Sequence, residues 1–118
     1  GKALTLIHRE PGRPWQLVDL AQRAGLSRTV FAERFTRLLG EPPMGYLTRW
    51  RMRVAERLLA DPSLSVDTIA ERLGYDTAAA FRRAFRRVTG RPPGAIRRGL
   101  GDADSDAEAH EDTADLIE

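Results

Sequence analysis

Residues 65–93, SVDTIAERLGYDTAAAFRRAFRRVTGRPP, decide the fold of this chain. The first part has apolar residues at helical spacing, which are Val66, Ile69, Ala70 and Leu73. Gly74 follows, and glycine supplies the positive φ that commonly ends a helix. Asp76 or Thr77 can then cap a second helix by accepting a hydrogen bond from a free backbone N–H. The pattern predicts two short helices joined by a glycine-containing turn.

The second predicted helix of this stretch has an apolar face and a basic face. The apolar face consists of Ala80, Phe81, Ala84, Phe85 and Val88. The basic face consists of Arg82, Arg83, Arg86 and Arg87. Gly90 and the pair Pro92-Pro93 close the helix. Such a helix-turn-helix is typical of a reader of the DNA major groove. The alternative is a helical hairpin whose basic face is merely solvated.

Residues 17–43, LVDLAQRAGLSRTVFAERFTRLLGEPP, repeat this pattern. With a shift of 49 positions, Leu20, Ala21 and Gly25 fall on Ile69, Ala70 and Gly74. With a shift of 50 positions, Phe31, Phe35, Gly40, Pro42 and Pro43 fall on Phe81, Phe85, Gly90, Pro92 and Pro93. The two phenylalanines of each copy share a helix face because they are four residues apart. We therefore predict two helix-turn-helix units with these phenylalanines in the core.

Residues 44–59, MGYLTRWRMRVAERLL, connect the two copies and predict a linker helix. Its apolar residues are Leu47, Trp50, Met52, Val54, Ala55, Leu58 and Leu59. About four turns at 1.5 Å per residue span about 24 Å. With the flanking turns, this length places two recognition helices about one DNA turn apart, ~34 Å. Before the first copy, residues 3–9 resemble the end of another helix, and Trp15 is expected to be a core anchor.

The first predicted recognition helix covers residues 28–39, and Ser27 is its expected N-cap. Its predicted core face is Val30, Phe31, Phe35, Leu38 and Leu39. The opposite face offers Arg28, Thr29, Ala32 and Glu33 for base contacts and Arg37 for phosphate. Thr29 and Ala32 suit a thymine methyl group, and Glu33 suits the N4 donor of cytosine. An intramolecular pair between Glu33 and Arg37, four residues apart, is the open alternative for this carboxylate.

In the second recognition helix, the candidates for base contacts are Ala78, Ala79, Arg82 and Arg83. The alanines permit close approach, and Arg83 is the best candidate for a two-bond contact with guanine. The candidates for phosphate contacts are Thr77, Arg86 and Arg87. Such contacts give affinity without sequence information. The backbone N–H of Gly45, at the start of the linker helix, is a further candidate for phosphate.

In this order and spacing, the motifs resemble the DNA-binding domain of the AraC/XylS family of bacterial transcription regulators, over about residues 3–98. The most specific matches are Ile69, Ala70, Leu73, Gly74, Tyr75, Phe81, Arg83, Phe85, Gly90 and Pro93. Supporting matches are Trp15, Leu20, Ala21, Gly25, Ser27, Phe35, Gly40, Tyr46, Leu47, Arg51 and Ala55. Two residues depart from the family pattern. Ile96 stands where many members have an aromatic residue, and Glu33 stands where many have a basic or polar one, which affects the base that is read.

The resemblance implies an all-α fold of two helix-turn-helix subdomains joined by a linker helix, about seven helices in all. It also implies sequence-specific binding of double-stranded DNA by a bacterial transcription regulator, with activation as the expected effect. An effector-sensing part on the N-terminal side and contact with RNA polymerase are further implications. A helical module that only contacts polymerase is the alternative function. Because the two recognition helices differ in sequence, we expect an asymmetric DNA site.

Charge is unevenly distributed along the 118 residues, although the net charge is only +2. Residues 1–99 contain 19 basic and nine acidic side chains, whereas residues 100–118 contain eight acidic and no basic ones. We therefore expect one DNA-binding domain over residues 1–99, divided into 1–43, 44–60 and 61–99. Residues 100–118 are expected to be a disordered acidic tail. This tail either keeps the protein in solution or competes with DNA for the arginine face.

The composition excludes several classes of function. The chain has no cysteine, which excludes disulfides, thiolate zinc sites and a cysteine nucleophile. His8 and His110 are far apart and have no partners at ligand spacing, so we expect no metal and no cofactor. The folded part has neither a Ser/His/Asp set nor a phosphate loop, and we expect no enzyme activity. No apolar run approaches the ~20 residues that cross a membrane, so a cytoplasmic protein is expected.

Overall fold

The computed structural model describes residues 1–101, and within that range it contains helices and no strand. The helices are α1 (Lys2–Arg9), α2 (Leu17–Arg23), α3 (Arg28–Leu39), α4 (Pro43–Leu59), α5 (Val66–Arg72), α6 (Ala78–Thr89) and α7 (Pro93–Gly101). The all-α prediction is confirmed, with helix ends close to those expected. The disordered acidic tail is predicted for residues 100–118. Residues 100–101 instead continue α7, because the helix that begins at Pro93 extends past the change in composition, and residues 102–118 lie outside the described residues.

The turn inside each helix-turn-helix is built as the glycines and caps predict. Gly25 has φ +72° and Gly74 has φ +86°, a region that side chains with a Cβ rarely adopt. Ser27 Oγ accepts a hydrogen bond of 3.2 Å from the backbone N–H of Val30. Thr77 Oγ1 accepts one of 3.0 Å from the N–H of Ala80, so Thr77 and not Asp76 caps α6.

The two repeats form two hydrophobic cores, and α4 contributes to both. The first core contains Ala3, Ile7, Trp15, Leu20, Ala21, Phe31, Phe35, Leu47 and Trp50. The second core contains Met52, Ala55, Leu59, Ile69, Ala70, Leu73, Phe81, Ala84 and Phe85. The half-buried Val54 packs against both clusters. Helix α4 is therefore more than a spacer, since each of its halves is part of a different core.

The predicted core faces of the recognition helices are wrong in the first turn of α3, at Val30, and in the last turns of both helices. Val30, Leu39 and Val88 are each more than a third exposed, and Leu38 is 80% exposed. The helical period places these residues near the phenylalanine face. It does not show whether another helix lies beside them to cover their side chains. Leu38 lines an open groove between the first turn of α1 and the last turn of α3. Val88 lines another one, between α4 and α7.

Among the described residues, no helix is both long enough and apolar enough to span a membrane.

Candidate nucleic-acid interface

Helix α6 presents a basic surface because its opposite face is anchored in the second core. Phe81, Ala84 and Phe85 are all buried. Their burial fixes the rotation of the helix about its axis, so the intervening side chains face solvent. The exposed side chains on this surface are Arg82, Arg83, Arg86 and Arg87. Ala79 is exposed and Ala78 half-buried in the first turn, where small side chains permit close approach of another molecule.

Helix α3 repeats this geometry in the first core. The rings of Phe31 and Phe35 lie 5.7 Å apart between centroids, and those of Phe81 and Phe85 are also 5.7 Å apart. The side chains predicted to read bases or bind phosphate on α3 are exposed at Arg28, Thr29, Glu33 and Arg37 and half-buried at Ala32. Ala32, Glu33 and Arg37 line one shallow depression together with Thr36. The structure therefore brings these predicted α3 residues onto one surface.

The carboxylate of Glu33 is not paired with Arg37. The ion pairs found in residues 1–101 are Arg13 with Glu10, at 3.5 Å, and Arg49 with Glu41, at 3.0 Å. The intramolecular alternative for Glu33 is thus absent from this part of the chain. Base reading by Glu33 stays a prediction.

The arginines of α6 are likewise without a carboxylate partner in the described part of the chain. Carboxylates that pair with arginines would compete with phosphate for the same donors. Among residues 1–101, therefore, no carboxylate neutralises Arg82, Arg83, Arg86 or Arg87, and their exposed guanidinium groups can bind an anionic ligand. The hydroxyl oxygen of Thr77 is already used as the helix cap. Only its O–H group is available for the phosphate contact that the sequence suggests.

The start of α4 has the free donors that a phosphate contact requires. Its N-cap is Pro42, and no side chain caps the helix there. Gly45 lies exposed in the first turn, where backbone N–H groups have no partner within the helix and the helix dipole favours an anion. The predicted phosphate contact at Gly45 is compatible with this geometry.

Arg51 is a residue whose role the sequence did not reveal. The pattern places it on the polar side of α4, yet it is only partly exposed. Its Nε donates to the carbonyl oxygen of Pro11 at 2.7 Å, and its Nη2 donates to that of Arg13 at 2.9 Å. Its guanidinium lies 5.8 Å from the centroid of the Tyr75 ring. No local pattern predicts these partners, because they lie far from Arg51 along the chain.

Tyr75 follows the turn glycine of the second repeat and is half-buried. Burial raises the pKa of its hydroxyl, and the positive charges of Arg51 and Arg87 act in the opposite direction. Its ring packs edge-on against Phe81 of the recognition helix, with 5.6 Å between centroids. Tyr75 thus connects Arg51 to the core side of α6.

Comparisons with known proteins agree with this description. A helix-turn-helix domain family matches residues 20–99. A putative AraC-like transcription regulator of Streptomyces lividans is 44% identical over 96 residues, which cover 81% of this chain and 32% of that protein. The chain thus spans about a third of the length of this curated relative.

Solved structures show the same arrangement of helices. The DNA-binding domain of AdpA, a global transcriptional factor solved in complex with a target DNA, is 34% identical with a TM-score of 0.78. That match covers 82% of this chain and 87% of the other. The C-terminal domain of AraT, a response regulator from Geobacillus stearothermophilus, is 31% identical with a TM-score of 0.77. It covers 82% of this chain and 81% of the other.

Proposed function

This chain belongs to the AraC family of helix-turn-helix proteins, and from that premise we propose that it binds double-stranded DNA at a specific sequence. It does so as the DNA-binding domain of a bacterial transcription regulator. The observation that carries the proposal is that α3 and α6 are held in the structure in the same way. Each is capped at its start, is anchored by a buried Phe-x3-Phe pair, and exposes its opposite face.

In this proposal α3 and α6 enter successive major grooves on one side of the duplex. Base contacts are assigned to Arg28, Thr29, Ala32, Glu33, Ala78, Ala79, Arg82 and Arg83. Phosphate contacts are assigned to Arg37, Gly45, Thr77, Arg86 and Arg87. The longest dimension of the described chain is 47 Å, which exceeds the ~34 Å of one DNA turn. The molecule is therefore long enough for both contacts.

The remainder of the regulator is also a matter of proposal. From the resemblance to AraC-like transcription regulators, we assign to the full protein an effector-sensing part and contact with RNA polymerase. The same resemblance is the basis for assigning activation of transcription to the full protein. Within this chain we assign DNA binding to residues 1–99 and place residues 100–118 outside that domain as an acidic tail.

The proposal is tested by selection from a random-sequence duplex pool at two salt concentrations, followed by sequencing. The expected result is one asymmetric motif of two separated blocks, with affinity that falls steeply as salt rises because bound arginines release counterions. Salt-dependent binding without a motif would contradict the base assignments. No binding at all would contradict the proposed function and favour a module that contacts only proteins.

An Arg83→Ala variant assigns one block to α6. It should lose about 1–3 kcal/mol of binding to the selected site and lose the preference at a single position. The matched control is Arg57→Ala, because Arg57 is an exposed arginine of α4 outside both recognition helices. The control should retain the complete motif. If Arg83→Ala also retains it, Arg83 does not read a base.

A further inference from the structure

The segment between α1 and α2 touches the turn of the second repeat, backbone against backbone. Gly12 lies in the segment between α1 and α2, and a Cβ added to it would overlap the carbonyl oxygen of Arg72. A Cβ added to Gly74 would lie 2.6 Å from the carbonyl oxygen of Gly12. Real Cβ atoms do not approach backbone so closely, hence only glycine fits at residue 12. This contact directly precedes α6 and is separate from the connection through α4.

Arg51, a residue of α4, stabilises this contact. Its two hydrogen bonds hold the carbonyl groups on either side of Gly12, those of Pro11 and Arg13. One of its Nη atoms would lie 3.4 Å from a Cβ on Gly74, so the same guanidinium borders both glycines. The Tyr75 ring covers it at 5.8 Å. A single side chain thus joins the segment between α1 and α2, the linker helix and the second-repeat turn.

Resting on the proposed function, we infer that Gly12, Gly74 and Arg51 form an interlock that sets the spacing and relative orientation of the two recognition helices. One base pair inserted between the two blocks of a site moves the second block by about 3.4 Å and rotates it by roughly 35°. A molecule held only by a linker helix absorbs part of such a change by bending or twisting. A molecule whose two halves are held together at two points cannot bend or twist in this way. The interlock therefore makes the chain selective for the distance between the two blocks of its DNA site.

The test uses the selected two-block site with zero, one or two base pairs inserted between the blocks. The full chain should lose about tenfold or more in affinity on one insertion, because both blocks can no longer be engaged together. Gly12→Ala should bind the uninserted site more weakly and lose less than about threefold on insertion. Its binding to a single isolated block should stay within about twofold of the parent chain.

Gly94→Ala is the matched control, because a Cβ at that position in α7 meets only the end of the Arg98 side chain. It should keep the full spacing penalty. Arg51→Met is a second test variant, since it keeps a long side chain but loses both hydrogen bonds. It covers the case in which Gly12→Ala does not fold, as checked by circular dichroism. Retention of the full penalty by a folded Gly12→Ala, or by Arg51→Met, would overturn the inference.

A measurement without DNA separates this inference from the proposed function. The chain has no cysteine, so Leu38→Cys and Arg87→Cys allow two spin labels, one on each recognition helix. The interlock predicts a narrow distance distribution in the parent chain and a broader one in Arg51→Met. An equally broad distribution in both proteins would overturn the interlock even if DNA binding is sequence-specific. Absence of a DNA motif with a narrow parent distribution would contradict only the proposed function.

Discussion

Phe81 and Phe85 show how residues that never face a ligand determine which side chains do. Both are fully buried, and Ala84 beside them is nearly so. Three buried positions on one face leave a helix no freedom to rotate, and Arg82, Arg83 and Arg86 are held outward as a consequence. Phe31 and Phe35 do the same for α3. At the scale of the residue, recognition therefore depends on packing as much as on charge.

We expect His8 to make the stability of the first core depend on pH. Its Nε2 lies 2.7 Å from the hydroxyl oxygen of Tyr46, and its ring lies 4.1 Å from that of Trp50. Burial, followed by the positive N-terminal amine, lowers the pKa of His8 below 6.5. The unfolded chain then binds a proton more readily than the folded chain as pH falls through about 6.5. Stability is therefore present above that pH and declines below it.

We predict that His8→Gln flattens the decline of the free energy of unfolding between pH 7 and pH 5. Urea denaturation at several pH values measures it. Equal slopes in His8→Gln and the parent chain would show that His8 does not titrate differently on folding.

At the scale of the element, each recognition helix depends on one hydroxyl at its start. Ser27 caps α3 and Thr77 caps α6, and each satisfies a backbone N–H that would otherwise lack a partner. The left-handed glycines Gly40 and Gly90 end the same two helices. Both termini of each recognition helix are thus determined by local hydrogen bonds and backbone conformation.

We predict that Thr77→Ala lowers the free energy of unfolding by about 1 kcal/mol. The reason is the loss of the hydrogen bond from the N–H of Ala80. Thr36→Ala, at an exposed position inside α3, is the matched control and should change stability by less than about 0.5 kcal/mol. Urea denaturation, monitored by circular dichroism, measures the free energy of unfolding of both variants. Equal stability of the two variants would show that the hydrogen bond of the Thr77 cap does not contribute to the free energy of unfolding.

At the scale of the whole molecule, α4 couples two cores that the repeat would otherwise leave independent. Leu47 and Trp50 belong to the first core, while Met52, Ala55 and Leu59 belong to the second. Because α4 is one continuous helix of 17 residues, loss of one core removes a packing partner from the other half of the helix. We expect the two subdomains to unfold together.

Both tryptophans of the chain, Trp15 and Trp50, lie in the first core, so their fluorescence reports the first subdomain. Phe85→Leu changes only the second core and should destabilise the chain by about 1–3 kcal/mol. We predict that its tryptophan fluorescence and its circular dichroism shift to the same lower urea concentration. A fluorescence midpoint that stays at the parent value would mean that the subdomains unfold independently.

The charge balance of the whole chain leads to a prediction about residues 101–118. They carry eight acidic side chains and no basic one, against the excess of arginine in the remainder. If this segment competes with DNA for the arginine face, its deletion should tighten DNA binding at low salt. The effect should vanish at high salt, where such attraction is screened. Unchanged affinity at low salt would leave it only a solubilising role.

The sequence by itself determined the features that depend on neighbours along the chain. The turn glycines, the caps at Ser27 and Thr77, the order of helices and the buried phenylalanine pairs could all be predicted. A helix period, a cap and a left-handed turn are formed by residues within a few positions of one another. The duplication strengthened each prediction, because the same local pattern occurs in both copies. The chemistry of the two exposed faces followed from the same periods.

Only the tertiary structure decided the features that join residues distant in sequence. It showed that α4 is shared between two cores, that Leu38 has no covering element, and that Glu33 is not paired with Arg37. It also placed Arg51 on carbonyl groups about 40 positions away and Gly12 against the turn at Gly74. A period gives the direction in which a side chain points. It does not give what lies there, because that depends on how whole helices meet.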